Sequence, residues 1–249
     1  MTEASEPRPL YDRIGDSYAT TRRPDPRVAA RIHTALGDTH RVLNVGAGAG
    51  SYEPTDRQVV AVEPSTVMLA QRPAHAAPAV RAVAATLPFP DGAFDAAMAV
   101  LTMHHWPDQR AGVAELRRVA ARVVMLTFDT RLVPWIASDY LPTIIGQDQF
   151  IFPPIDEVAV WLDADIRVMP VPRDCTDGFM GAYWARPELY LDPHRRAGMS
   201  AVRKLDPSVV EAGMEQLRTD LDSGAWDAKW GHLRSLDELD LGYRLLVTR

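Results

Sequence analysis

Cysteine is almost missing from these 249 residues, with Cys175 the single instance. That excludes an intramolecular disulfide framework and a cysteine-rich zinc site, and it fits a reducing compartment such as the cytosol. No run approaches the roughly 18 apolar residues of a membrane span. The opening stretch from Met1 to Pro7 lacks the basic and apolar regions of a secretory signal, so no membrane partner is expected. A basic excess is also missing: 27 Lys and Arg against 33 Asp and Glu leave a net charge of −6. Nothing resembles the cationic stripe that a phosphate backbone requires, and no nucleic-acid partner is expected. Lysine occurs only at 204 and 229, a bias that accompanies the many alanines and carries no chemistry by itself. Internal repeats and low-complexity segments are absent too. What is present is 47% hydrophobic and 24% charged residues, enough to bury a core in one elaborated α/β domain.

The apolar runs alternate with helical segments. Asp25-Pro26 can cap and start a helix carrying Val28, Ile32 and Leu36, which Gly37 stops. Short buried strands are expected at Val42 to Val45, Val59 to Val62, weakly at Ala79 to Val83, at Asp95 to Leu101 and at Val123 to Phe128. Helices are expected between them near 66–71 and 108–120. This beat implies crossover connections and a parallel sheet. After Phe128 the regularity breaks. Residues 131–154 read as irregular and aromatic, before a helix near Ile155 to Leu162 and a strand near Ile166 to Val171. Residues 172–238 form a second insertion, with helices expected at 178–186, 207–222 and 226–233, and a final strand lies within 239–249.

Where the first strand ends, Gly46-Ala47-Gly48-Ala49-Gly50 allows a ligand to approach the backbone closely. A tight turn without any ligand would use the same residues. The dinucleotide fingerprint needs a further glycine at 51, and Ser51 stands there, which disfavours NAD. Glu63, closing the next strand, is placed to accept both hydroxyls of a ribose.

The segment Val42 to Gly50, Glu63-Pro64-Ser65 with Met68, Leu87-Pro88-Phe89-Pro90-Asp91-Gly92-Ala93-Phe94-Asp95, and His104-His105-Trp106 with Glu115 to Val119 resemble, in order, the motifs of class I S-adenosylmethionine-dependent methyltransferases. The likeness covers about residues 11 to 128 and points to the small-molecule branch that includes ubiquinone/menaquinone-biosynthesis and natural-product enzymes. It implies a Rossmann-like α/β fold with a seven-stranded sheet, a cofactor-binding core over 10–130, substrate-cap insertions over 131–154 and 172–238, and one domain in all. It implies S-adenosylmethionine as cofactor, with Gly46, Ala47 and Gly48 along its methionine part, Glu63 on the ribose, Pro64 and Met68 flanking the adenine, Ala85 and Thr86 at the adenine edge and Leu101 near the sulfonium. Tyr18 and Arg22 resemble the helix that closes over the cofactor, where Arg22 could pair with the cofactor's carboxylate or remain a surface charge. Two departures stand out: Asn44 replaces the usual Asp, and Ala85-Thr86 lacks the common acidic residue.

The pair His104-His105 follows the fourth strand at the carboxyl edge of the sheet, where open α/β folds bind ligands. Asp129 ends the fifth strand. On the family's strand order these are neighbours, so Asp129 is expected to orient a histidine base, by analogy with family members carrying matching residues. The bland alternative is that Asp129 only binds Arg131 or a backbone amide. No metal is assigned, since the histidines lack further ligands at suitable spacing. Trp135, Tyr140, Phe179, Tyr183 and Trp184 offer aromatic area for an acceptor, although at helical spacing such residues equally form core. The expected activity is methyl transfer to O, N or C of a small-molecule acceptor, by a monomer or homodimer. The competitors are a non-methylating reaction such as cyclisation and a cofactor-binding protein without chemistry.

Overall fold

The computed structural model describes Asp12 and residues 22–249. Helix α1 (Pro26–Leu36) begins where the Asp25 carboxylate accepts the Arg27 N–H at 2.9 Å and ends at Gly37, whose φ is 67°. Its apolar positions Val28, Ile32 and Leu36 recur every fourth residue and are fully buried. Strands β1 (Arg41–Val45) and β2 (Gln58–Val62), short helix α2 (Thr66–Ala70), β3 (Ala79–Val80), β4 (Phe94–Val100), α3 (Gln109–Val119) and β5 (Ala120–Phe128) continue the alternation. Then come α4 (Thr143–Ile151), α5 (Ile155–Leu162), β6 (Ala164–Val168), β7 (Val171–Pro172), α6 (Pro193–Arg196), α7 (Ser200–Arg203), α8 (Pro207–Ser223), α9 (Ala225–Trp230), β8 (Glu238–Leu239) and β9 (Tyr243–Thr248).

Seven strands form one sheet in the order β3-β2-β1-β4-β5-β9-β6, and β7 pairs with β8 as a separate ribbon. The first five strands run parallel, while β9 is antiparallel to both β5 and β6. Successive residues of β4 face opposite ways: Ala96 and Met98 join the core containing α1, Ala97 and Ala99 the core containing α3 and α5. Both faces are therefore covered, which is why the parallel strands read as unbroken apolar runs. The α1 face is continuous with the packing of the two insertions, through Trp135, Trp184 and Trp226. No helix among the described residues is long and apolar enough to cross a membrane.

Two expectations need correction, and one element was not expected at all. Residues 178–186 are consecutive turns and not a helix. The Gly181 N–H donates to the Tyr243 hydroxyl at 3.1 Å instead of to a helical carbonyl. The segment 131–154 is more regular than its sequence suggests, carrying a π turn at Ile136–Tyr140 and then α4. The ribbon β7–β8 went unforeseen because two-residue strands have no periodicity to detect.

Candidate active site

At the carboxyl edge of the sheet, β1 runs into the glycine turn. Gly46 has φ 68° and Gly48 φ 53°; a Cβ on Gly46 would collide with the Thr102 side chain, and one on Gly48 would press on Met68 Cε at 3.0 Å. The turn borders a cavity of about 850 Å³ including its open mouth. Ala47, Pro64, Met68 and Leu101 contribute to the same wall. Glu63 lies at its rim, only 5% exposed. Its two oxygens accept the Gly48 and Ser65 N–H groups, each at 2.9 Å. Burial raises the Glu63 pKa and those two bonds oppose the rise. Each carboxylate oxygen has a second lone pair, so both retain capacity toward a ligand hydroxyl.

Behind the turn lies a feature that motif reading missed. Arg72 and Glu53 form a buried ion pair at 2.8 Å, and Arg72 also donates to the Gly48 carbonyl at 3.2 Å and the Ala77 carbonyl at 2.8 Å. Asn44 donates to Glu53 Oε1 at 3.2 Å. The departure at Asn44 thus has a local reason: an Asp there would set a second carboxylate against Glu53, whereas the amide supplies a donor.

Ala85 and Thr86 do not reach the cavity. A turn closed by the Thr86 N–H on the Val83 carbonyl carries them away, and Ala82, Val83 and Ala84 form that wall in their place. Tyr18 lies outside the described residues.

A second cavity, about 820 Å³ with its mouth, adjoins the first. Leu101 and Arg22 line both. Leu101 holds φ 51°, unusual for a side chain of its size, with its N–H bonded to the Leu126 carbonyl at 2.8 Å. The two histidines divide between the cavities: His104 faces the second, His105 the first. Their rings lie 3.8 Å apart, and His104 also stacks on Phe152 at 4.6 Å. Burial, reinforced by the Lys204 and Arg22 charges, pushes His105 down to about 3. His104 falls well below its usual value through burial, the neighbouring His105, Lys204 and Arg22. Both rings are therefore unprotonated at neutral pH. Among the described residues His104 Nδ1 is buried without a hydrogen-bond partner.

Asp129 does not join them. Its carboxylate accepts from Arg131 Nε and Nη2, both at 2.9 Å, and from the Arg131 backbone N–H at 3.1 Å, with Arg244 a further 3.8 Å contact. The chain turns directly after β5, so Arg131 folds back on the acid two residues earlier and captures it. The expected Asp–His pair is thus replaced by an Asp–Arg pair, which holds Asp129 below the usual carboxylate range even though burial alone would raise it. Arg22 likewise has a protein partner: Asp177 takes Nε at 2.6 Å and Nη2 at 3.1 Å, and the Tyr52 hydroxyl donates to Asp177 at 2.6 Å. The partner expected from the cofactor is supplied by the second insertion.

Of the five aromatics expected to contact an acceptor, Phe179 lines the second cavity. Trp135, Tyr140, Tyr183 and Trp184 are buried as core of the insertions. Trp135 meets Tyr140, Tyr190 and Trp226 edge-on, and its indole N–H donates to the Trp184 carbonyl at 2.9 Å. The aromatic wall comes instead from Phe128, Phe152 and Tyr243. Two charged residues there, Asp148 and Lys204, were also missed. Burial pushes the Asp148 carboxyl up to about 6, against the pull of Lys204.

A methyltransferase-domain family profile matches residues 43–126. A crystal structure from Anabaena variabilis, described as a methyltransferase from an antibiotic biosynthesis pathway, is 34% identical, covers 92% of this chain and 99% of its own, and superposes with a TM-score of 0.86. The demethylmenaquinone methyltransferase of Mycolicibacterium paratuberculosis is 28% identical over 169 residues, 64% of this chain and 74% of that protein. The [4+2]-cyclase SpnF shares the fold, with a TM-score of 0.56, 17% identity and coverage of 96% and 94%.

Proposed function

The chain belongs to the class I S-adenosylmethionine-dependent methyltransferases, and on that premise we propose that it methylates a small ring-containing acceptor bound in the cavity lined by His104, Phe152 and Phe179. One observation carries this reading: two adjoining cavities, one built on the glycine turn and Glu63, the other apolar, share the wall formed by Leu101 and Arg22. S-adenosylmethionine fits the first, where Gly46 and Gly48, at positive φ and packed against Thr102 and Met68, hold the turn in a shape that brings main chain to the cavity wall, and Glu63 offers paired acceptors. When bound, it supplies an electrophilic methyl group on its sulfonium. The chain's own residues do the rest by positioning and by excluding water. The segments 131–154 and 172–238 act as the cap, presenting α4, Phe179–Met180 and Met199–Lys204 to the acceptor.

His104 is the residue we assign to proton removal. It faces the acceptor cavity and its Nδ1 has no hydrogen-bond partner among the described residues, so its ring is placed to accept the proton of an O–H or N–H nucleophile once a bound acceptor changes the surroundings that now hold it neutral. His105, facing the other cavity, packs against His104 and fixes its ring. An acceptor from natural-product chemistry agrees with the pathway ascribed to the Anabaena variabilis relative. The test is mass-spectrometric screening of acceptor candidates with labelled S-adenosylmethionine. Transfer to a ring compound is expected, and His104→Ala should lower its rate about 10²–10⁴-fold with cofactor affinity kept. Cofactor binding with no labelled product from any acceptor would turn the assignment toward a non-methylating reaction.

A further inference from the structure

The acceptor cavity has a polar pole that the reaction itself does not require. On α4, Ile144, Gln147, Asp148 and Ile151 recur at helical spacing and all face the cavity. The stripe is apolar at its ends and polar in the middle. The Asp148 carboxylate makes no hydrogen bond and no ion pair among the described residues, although it is half-buried. Lys204, an exposed residue at the end of α7, lines the same space at its mouth and is also without a direct partner among the described residues. The two feel each other's charge without touching, since the pull of each on the other's ionisation is present but no ion pair closes between them. Around them the lining is apolar, from Ile144, Ile151, Phe152, Phe179, Met180 and Met199. A buried-side carboxylate and an ammonium held apart over an apolar pocket leave a gap that a ligand's polar groups can bridge.

We propose that Asp148 and Lys204 are the specificity-determining residues of the acceptor site, selecting a flat ring compound that carries a hydroxyl or amino donor beside a carbonyl or carboxylate oxygen. Asp148 accepts from the donor, Lys204 donates to the oxygen, and the ring fills the apolar lining. Gln147, one residue before Asp148 on the same face, can serve either group. The other charged and titratable groups facing this space are His104, Arg22 and Tyr243. Arg22 is held by Asp177, His104 is unprotonated, and burial raises the Tyr243 phenol, so none competes as an anion for the donor. The inference rests on the methyl-transfer reading only for the word acceptor; the binding selectivity stands by itself.

Calorimetry decides it, with the full chain loaded with S-adenosylhomocysteine and, in parallel, without it. The probes are a hydroxynaphthoate with hydroxyl and carboxylate adjacent, naphthoate, and naphthol. Titrations are made well above pH 6, the region to which burial shifts Asp148, so that its carboxylate is charged. Hydroxynaphthoate should bind about 10–100-fold tighter than either single-group probe, the range expected for one charged hydrogen bond. Asp148→Asn should bring it down to the naphthoate level and leave naphthoate unchanged. Lys204→Gln should bring it down to the naphthol level and leave naphthol unchanged. Asp148→Asn is isosteric and Lys204→Gln replaces an exposed side chain by a shorter neutral one, and retained S-adenosylhomocysteine affinity reports that each variant is folded. Equal binding of the three probes, equal losses across probes in either variant, or no probe binding to a protein that holds S-adenosylhomocysteine would overturn the proposal. Probe selectivity that persists while S-adenosylhomocysteine fails to bind would instead overturn the methyl-transfer reading.

Discussion

The two cavities meet at Leu101 and Arg22 but are constructed in opposite ways. The cofactor side is made of main chain and close neighbours in sequence: Gly48 and Ser65 N–H groups converge on Glu63, and Glu53, Arg72 and Asn44 brace the turn from behind. The acceptor side is made of side chains from separate stretches, around residues 101–104, 128, 144–152, 179–180, 198–204 and 243. Behind it stands the ring cluster of Trp135, Tyr190 and Trp226. A site built from backbone groups can change its side chains little without losing its ligand. One built from long-range side-chain packing can change its lining while the scaffold stays, which is the division expected if, as proposed, the first cavity takes the cofactor and the second the individual substrate.

If that contrast is sound, the largest effect comes from Glu63→Ala. It removes the two carboxylate oxygens proposed to hold the ribose and orphans the Gly48 and Ser65 N–H groups. At about 1.5–3 kcal/mol per charged hydrogen bond, S-adenosylhomocysteine affinity should fall at least a hundredfold by calorimetry. Acceptor-cavity variants such as Phe179→Ala should leave it unmoved. A comparable loss from Phe179→Ala would erase the distinction between the halves.

Next in size is Asp177→Ala, which leaves the Arg22 guanidinium, 9% exposed, without the partner that ties it to the second insertion. Removing one member of a buried pair costs about 3–5 kcal/mol, to be read as a lowered urea midpoint. Tyr52→Phe, losing only a hydroxyl donor to the same carboxylate, should cost about 1 kcal/mol.

Also smaller than the Asp177→Ala loss is that of Trp135→Phe, which strips the donor from the Trp184 carbonyl and should lower stability by about 1–3 kcal/mol. Acceptor affinity should be retained, because Trp135 is core and not lining. Finally, His105 has a folded pKa pushed from 6.5 down to about 3. The unfolded chain therefore binds a proton that the folded one refuses, and stability is lost as pH falls from 6.5 toward 3. His105→Gln should flatten that slope in denaturant titrations across this window and leave the stability difference constant above it.

The same contrast governs how much could be read from the residues alone. The inner strands β1, β2, β4, β5 and β9 announce themselves as apolar runs because both faces are covered, whereas the edge strands β3 and β6 are largely exposed and carry a weaker signal; the glycine turn and Glu63 announce the cofactor side because their chemistry is local. Strand adjacency placed Asp129 near the histidines, but adjacency says nothing of competition: Arg131, in the same turn, reaches the acid first. Trp135 and Phe179 look alike as aromatic residues in an insertion, and only the packing separates a core ring from a lining ring. Asp148 was hidden because Pro142, Gly146 and the Pro153-Pro154 pair made its segment look irregular. Of the four cavity-facing positions only Ile144 and Ile151 are apolar, so the stripe gives no hydrophobic periodicity from which its helix could be read.

Strand β9 lies inside the sheet, between β5 and β6, with residues 244–247 pairing on both sides. A ribosome delivers β5 and β6 long before β9, and until then both carry an unpaired edge. Residue Tyr243 on that strand also lines the acceptor cavity and receives the Gly181 N–H. The nascent chain can thus settle its glycine turn and first five strands early, but the acceptor side comes into being only when this late strand slots in. One strand thus both joins β6 to the main sheet and completes the wall of the second cavity.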